Sequence, residues 1–195
     1  MAEKKSKISA FHADSRPRCA WVPLRDADYV RYHDEEWGRP VHDDRILYEM
    51  MLLECFQAGL SWATILHKRE HFRAAYDGFD PEKVAGYGES KINELMKNPG
   101  IIRNRAKIRA SIDNTRVFLA IRKEYGSFDR YLWHFTGGES IAEPWDLRTT
   151  SPLSDEISGD LKKRGMKFVG STTIYAYLQS VGVIRPHSKD CFLAP

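Results

Sequence analysis

Asp160-Leu-Lys-Lys-Arg-Gly-Met-Lys-Phe-Val-Gly170 is the stretch on which the fold turns. It separates two apolar segments, one running from Ser154 through Leu161 to Arg164, the other opening at Gly170 and reaching Val181. Gly165 stops the first segment, and two glycines around a short turn permit positive φ and close backbone approach. The stretch therefore reads as a hairpin between two helices. Amides that open the second helix carry the positive end of its dipole, and Lys162, Lys163, Arg164 and Lys167 surround them. A nucleic-acid phosphate suits that setting. A helix-stopping glycine beside a solvated basic turn explains the same residues, and such turns are common.

Helical signals extend outward from the hairpin. Asp26 caps a short helix through Tyr29, Tyr32 and His33, and Asp43 caps a longer one carrying Ile46, Leu47, Met50, Met51, Leu53 and Glu54. Gly59 breaks that helix, Ser61 caps the next from Trp62 to Tyr76, and Asp80-Pro81-Glu82 starts another. Three more are expected over 90–97, 103–124 and 128–135, with a loop over 136–152. No run alternates with period two, so the expected fold class is all-α. Residues 19–195 form one helical domain, or two lobes around a pocket, and residues 1–18 a flexible basic tail.

Of 195 residues, 42% are hydrophobic and 12% aromatic, enough to bury a core and to exclude wholesale disorder, collagen-like repeats or a coiled coil. The formal net charge of +3 arises entirely within residues 1–18. The remainder nets to zero but is polarised: residues 26–54 carry nine acids and three arginines, whereas 101–123 carry seven bases and one acid. Such a separation can give one face to an anionic partner. The Lys-rich start lacks the apolar stretch of a signal peptide, and the charge-free run Phe168 to Ile184 reads as a buried helix rather than a membrane span. Three scattered cysteines do not make a secreted disulfide scaffold. A cytoplasmic monomer with no membrane partner is expected.

Three further groups of residues could carry chemistry. Arg103, Arg105, Lys107 and Arg109 lie along a helix whose Ile and Ala positions keep one face apolar, so the charges project outward as a solvated or nucleic-acid-binding face. Trp21, Tyr29, Tyr32, Trp37 and Trp62 accompany Glu54, which sits in the very apolar run Met-Met-Leu-Leu-Glu-Cys-Phe. Rings can hold a flat base, and an ionised carboxylate only accepts hydrogen bonds, so the group would select a donor-rich or cationic base. An aromatic core with a snorkelling Glu54 is the alternative, at the cost of a buried carboxylate. Finally, His187-x3-Cys191 has the spacing of paired zinc ligands, and Cys19 with His33 could complete a tetrahedron. Cys55, within an apolar helix, reads as an inert core residue.

Several long motifs then occur in a distinctive order. They are Cys19-Ala-Trp-Val, Tyr29-Val-Arg-Tyr-His-Asp-Glu-Glu-Trp-Gly38, Leu53-Glu54, Gln57-Ala-Gly-Leu-Ser-Trp62, Gly100-Ile-Ile-Arg-Asn-Arg-Ala-Lys107, Leu161 to Gly170, and His187-x3-Cys191. Together they resemble the 3-methyladenine DNA glycosylase I family over residues 19–192. The resemblance implies an all-α, helix–hairpin–helix DNA repair glycosylase, with Gly165 and Gly170 bounding the hairpin and Lys162, Lys163 and Lys167 near DNA. It implies a structural Zn2+, one per chain, held by Cys19, His33, His187 and Cys191 and joining the two chain ends. It assigns base recognition to Glu54, the expected catalytic residue, with Tyr32 and Trp62 lining the pocket and Trp21, Tyr29 and Trp37 beside them. This sequence has Arg185-Pro186 where many relatives have Asn-Asp, and no carboxylate in Gly182 to His187 to serve as a catalytic aspartate.

The activity so implied is excision of 3-methyladenine from alkylated double-stranded DNA. The base is flipped out, Leu60 wedges into the gap or is an ordinary core leucine, and a monofunctional hydrolysis leaves an abasic site. Two rivals belong to other classes. One is a non-catalytic binder of alkylated DNA. The other is a zinc hydrolase, which four protein ligands disfavour because no coordination position stays open.

Overall fold

The computed structural model describes residues 15–144 and 146–194. Most of the expected basic tail, residues 1–14, lies outside the described residues. Arg18, read with that tail, packs instead: its side chain is 6% exposed and meets Asp34 at 2.6 Å.

Ten helices follow one another among the described residues: α1 (Ala27–Glu35), α2 (Asp44–Gln57), α3 (Trp62–Leu66), α4 (Arg69–Ala75), α5 (Pro81–Ala85), α6 (Glu89–Lys97), α7 (Arg105–Tyr125), α8 (Phe128–His134), α9 (Pro152–Lys163) and α10 (Ser171–Ser180). Side-chain caps fix many of the starts. Asp26 accepts from the Tyr29 amide, Asp43 from Arg45 and Ile46, and Ser61 from Thr64. Asp80 caps α5 with Pro81 behind it, Asn104 caps α7 and Ser127 caps α8. Helix α2 is the hub. Every residue from Leu47 to Phe56 is buried, and it packs against α3, α7, α8 and α10. Helices α5, α6 and α8 lean on α7, whereas α9 leans on α10.

Three expectations change. The single helix over 62–76 is two, because His67 and Lys68 turn between them; the Lys68 amide bonds back only three residues, to Ile65, and its ammonium reaches the Pro99 and Gly100 carbonyls. Tertiary hydrogen bonds here outweigh helix propensity. Helix α9 starts at Pro152 rather than Ser154, since Ser151 is the cap and Ser154 its reciprocal capping-box partner. The chain is mostly helical rather than purely so: β1 (Ile141–Ala142) pairs in parallel with β2 (Ile184–Arg185). Two residues per strand are too few to show a period of two.

That short sheet fastens the loop after α8 beside the segment leaving α10. Gly182 makes the neighbouring approach possible. Its φ is +71, and a Cβ there would lie 2.1 Å from the Arg39 carbonyl carbon. Only glycine lets residues 38–41 pass so close, where Gly38 and Val41 amides bond the Gln179 and Val181 carbonyls.

Candidate functional site

Helices α1, α2, α3 and α10 enclose a cavity of about 320 Å³ lined by Trp21, Tyr29, Tyr32, Trp37, Glu54, Gln57, Trp62, Ala176 and Gln179. All five expected aromatic residues and Glu54 therefore meet in one place. Helical spacing explains the grouping: Tyr29 and Tyr32 stand three apart on α1, Glu54 and Gln57 on α2, and Ala176 and Gln179 on α10. Sequence reasoning missed Gln57, Ala176 and Gln179 as lining. Gln57 lay within a quoted motif, but no local signal turns α10 toward α1.

Glu54 is 3% exposed, and its Oε2 has no hydrogen-bond partner. Burial pushes its carboxyl up to about 8. Trp21 Nε1, Trp62 Nε1 and Gln179 Nε2 are likewise buried and partnerless, and all belong to the same cavity wall. Buried polar atoms are normally paired. Four such atoms lie around this one cavity. Tyr29 and Tyr32 remain neutral phenols, their hydroxyls raised first by burial and then by Glu54. Tyr32 and Trp62 have ring centroids 5.2 Å apart and are tilted by 46°. A base held between two rings needs roughly 7 Å. The pair is thus one continuous wall and not two opposing jaws. A larger groove of about 780 Å³ lies across α1, but its charges satisfy one another, with Arg69 meeting Glu36 at 2.6 Å and Arg73 meeting Glu49 at 2.7 Å.

Behind the cavity, Cys19, His33, His187 and Cys191 are all buried with their ligand atoms within 4.8 Å of one another. Cys19 Sγ lies 3.8 Å from His187 Nδ1, and Cys191 Sγ lies 3.6 Å from both His187 Nδ1 and His33 Nε2. Sulfur–nitrogen edges of a tetrahedral zinc site are about 3.6 Å, given the usual bond lengths. The outer nitrogens are held as ligand histidines require. His33 Nδ1 donates to Asp34 at 2.8 Å and His187 Nε2 to the Trp37 carbonyl at 3.0 Å. Each outer nitrogen is thus occupied by an acceptor, and each ring turns its other nitrogen toward the cysteines. Amides of Ser188 and Leu193 donate to Cys19 and Cys191 sulfur at 3.4 Å, although burial keeps the Cys191 thiol above its ordinary value. The four residues could hold a metal, and Arg185-Pro186 leaves His187 in place to do so.

The turn between α9 and α10 is rigidly built. Gly165 has φ +103 and Phe168 φ +57. Asn114 grips the Lys167 backbone from both sides at 2.8 Å, and Ser158 donates to the Val169 carbonyl at 2.7 Å. Gly170 caps α10 without a side-chain bond, and no acid occupies its first turn, so its leading amides stay available. Lys162 and Lys163 are exposed, whereas Lys167 pairs with Asp113 at 2.9 Å and Arg164 with Glu124 at 2.6 Å.

The basic helix is not the open cationic face that its composition suggests. Arg105 and Arg109 both pair with Glu89, at 3.2 and 2.6 Å. Lys107 turns inward, donating to the Phe56 carbonyl at 2.8 Å and to Ala58 at 2.5 Å. It thereby caps α2 and holds the turn carrying Leu60, which is 40% exposed and no core leucine. Cys55 behaves as an inert core thiol, pushed by burial up to about 12.

The helices thus gather a carboxyl group and aromatic rings around one small cavity. Residues 21–194 match the methyladenine glycosylase family. The chain is 43% identical over 178 residues to the DNA-3-methyladenine glycosylase of Haemophilus influenzae, covering 89% of this chain and 96% of that one. A crystal structure of 3-methyladenine DNA glycosylase I superposes with a TM-score of 0.88 at 43% identity, covering 92% of this chain and all of the other. A point variant of 3-methyladenine DNA glycosylase I in complex with 3-methyladenine superposes with a TM-score of 0.84 at 36% identity, covering 87% and 94%. The chain belongs to the methyladenine glycosylase family and is a DNA repair enzyme that hydrolyses N-glycosyl bonds. No helix among the described residues is long and apolar enough to cross a membrane.

Proposed function

We propose that the aromatic cavity receives a flipped 3-methyladenine from alkylated double-stranded DNA and that the enzyme releases it by hydrolysis, leaving an abasic site. The observation that carries this reading is the partnerless Glu54 carboxylate among rings. A carboxylate buried without a partner is expensive unless a ligand repays it. The six-amino group of an adenine supplies donors, and methylation at N3 supplies positive charge. The reading is also supported by the 3-methyladenine-bound structural neighbour.

N3 methylation makes the base a good leaving group before the enzyme acts. The C1′–N9 bond breaks with its electron pair going to the base, which departs neutral, and the sugar becomes oxocarbenium-like. Water then adds at C1′ and gives up a proton to solvent. Positioning supplies most of the catalysis: the Tyr32–Trp62 wall orients the base, and Glu54, ionising as the cationic base enters, accepts from its amine and favours its charge. No lysine lines the cavity to form a Schiff base, which supports monofunctional chemistry.

The α9–α10 turn serves as the helix–hairpin–helix element. Its free amides take a phosphate, Lys162 and Lys163 add charge, and Leu60 on its exposed turn fills the gap left by the flipped nucleotide. Replacing Lys162 and Lys163 by alanine lowers the slope of log affinity against log salt by about one for each lysine. Fluorescence anisotropy with duplex DNA measures it, and an unchanged slope removes both residues from the phosphate contact.

The Cys19, His33, His187 and Cys191 cluster holds one structural Zn2+. When bound, zinc supplies a fixed link between the two chain ends; four protein ligands leave it no open position, so it stays outside the chemistry.

Chromatography of bases released from methylated DNA tests the whole reading. Free 3-methyladenine appears with apurinic sites and intact strands. Complex formation without released base would favour a non-catalytic binder.

A further inference from the structure

Gln179 stands at the end of α10, 8% exposed, with its Nε2 buried and partnerless in the cavity wall. Its backbone carbonyl already has structural work, accepting the Gly38 amide at 2.9 Å. The side-chain amide has none. A buried amide nitrogen with no protein partner costs stability, as Glu54 does, and the two occur around the same space.

Their chemistry is complementary. Glu54 offers an acceptor and Gln179 a donor, and both line the one cavity. Adenine presents the matching pair, an exocyclic amine that donates beside a ring nitrogen that accepts, and does so on both sides of the amine, at N1 and at N7. Guanine places a carbonyl oxygen where the amine would be, against the carboxylate, and a hydrogen on N1, against the amide donor. A site whose buried polar groups are left unpaired by the wrong ring discriminates strongly.

We propose that Gln179 is a base-reading residue, its side-chain amide donating to N1 beside the adenine amine so that Glu54 and Gln179 together select adenine-type over guanine-type lesions. This rests on the reading of the cavity as the lesion pocket. Trp21 and Trp62 add indole donors on the same wall, but a rigid indole offers no acceptor to pair with its donor.

Binding of the free bases 3-methyladenine, its 1-deaza and 7-deaza analogues, and 3-methylguanine to wild type, Gln179→Leu and Glu54→Gln tests the assignment. Gln179→Leu should bind 3-methyladenine about tenfold more weakly, the worth of one buried hydrogen bond. Against the 1-deaza analogue the penalty should vanish, and against the 7-deaza analogue it should persist; the reverse pattern overturns the selectivity, because N7 accepts in both purines. The preference over 3-methylguanine should shrink. Gln179→Met, which keeps the unbranched length without the amide, should repeat the pattern. Wild-type affinity in both Gln179 variants, or an equal penalty on every analogue, overturns the inference. If Glu54→Gln also binds 3-methyladenine as wild type does, the pocket reading itself fails; if it alone weakens, only the Gln179 assignment does.

Discussion

Glu54→Ala loses about 100-fold or more in kcat/KM for 3-methyladenine release while remaining folded. The size follows from removing one preorganised electrostatic partner of a charged transition state, about 3 kcal/mol. Glu54→Gln keeps the shape and an acceptor oxygen but not the charge, so it should fall between alanine and wild type. Single-turnover assays on methylated duplex DNA read the loss directly. Undiminished release by a folded Glu54→Ala enzyme sinks the role given to this carboxylate.

The same side chain predicts the opposite effect on stability. Glu54 ionises near 8 in the folded chain against an ordinary value of 4.5, because burial disfavours its charge. Below the ordinary value the group is neutral both folded and unfolded and contributes nothing. Between the two values the folded state holds a proton that the unfolded state has released, so stability falls as pH rises. The loss accumulates to something on the order of 5 kcal/mol and levels off near pH 8. Glu54→Gln lacks this slope. Its melting temperature should therefore pull ahead of wild type progressively from pH 5 to 8, and adding 3-methyladenine should narrow the gap. A pH-independent difference would place Glu54 in a solvated setting. Instability in the empty state is what a binding group costs when its partner is a ligand.

Much of the helical order was legible because its signals are local. Asp26, Asp43, Ser61 and Asp80 each cap within three residues, and the aromatic positions of α1 share a face by spacing alone. What escaped is set by residues distant in sequence. Lys68 is drawn to the loop at Pro99, Lys107 to the end of α2, Arg105 and Arg109 to Glu89, and Arg18 to Asp34. Each is a charged side chain whose partner is distant in sequence, and those of α7 and Arg18 carried charge that composition assigned to solvent or DNA. Charge counted along the chain thus overstated the free positive surface of α7. The pocket followed the same division: Tyr29, Tyr32 and Glu54 were readable, whereas Gln179 required knowing that α10 packs on α2.

Cys191→Ser should lower the melting temperature by about 10 °C or more, as should stripping the metal with a strong chelator. Structural zinc sites contribute folding free energy outright, and a loss of about 4 kcal/mol moves a chain of this size by roughly that much. The consequence reaches beyond stability, because the cluster is also the back of the pocket. His33 stacks on Trp37 at 6.0 Å, His187 meets Trp37 edge-on at 4.9 Å, and Trp21 packs on both His33 and Trp37, at 5.5 and 4.6 Å. Trp21 and Trp37 are cavity wall. Releasing the histidines frees two rings of the cavity wall, so metal-depleted protein at a temperature where it remains folded should bind 3-methyladenine more weakly, with altered tryptophan fluorescence. Returning zinc should restore both. Purified protein should carry close to one equivalent of zinc. Less than about half an equivalent, together with a melting temperature indifferent to chelator and to Cys191→Ser, would show that the four side chains hold one another through hydrogen bonds alone.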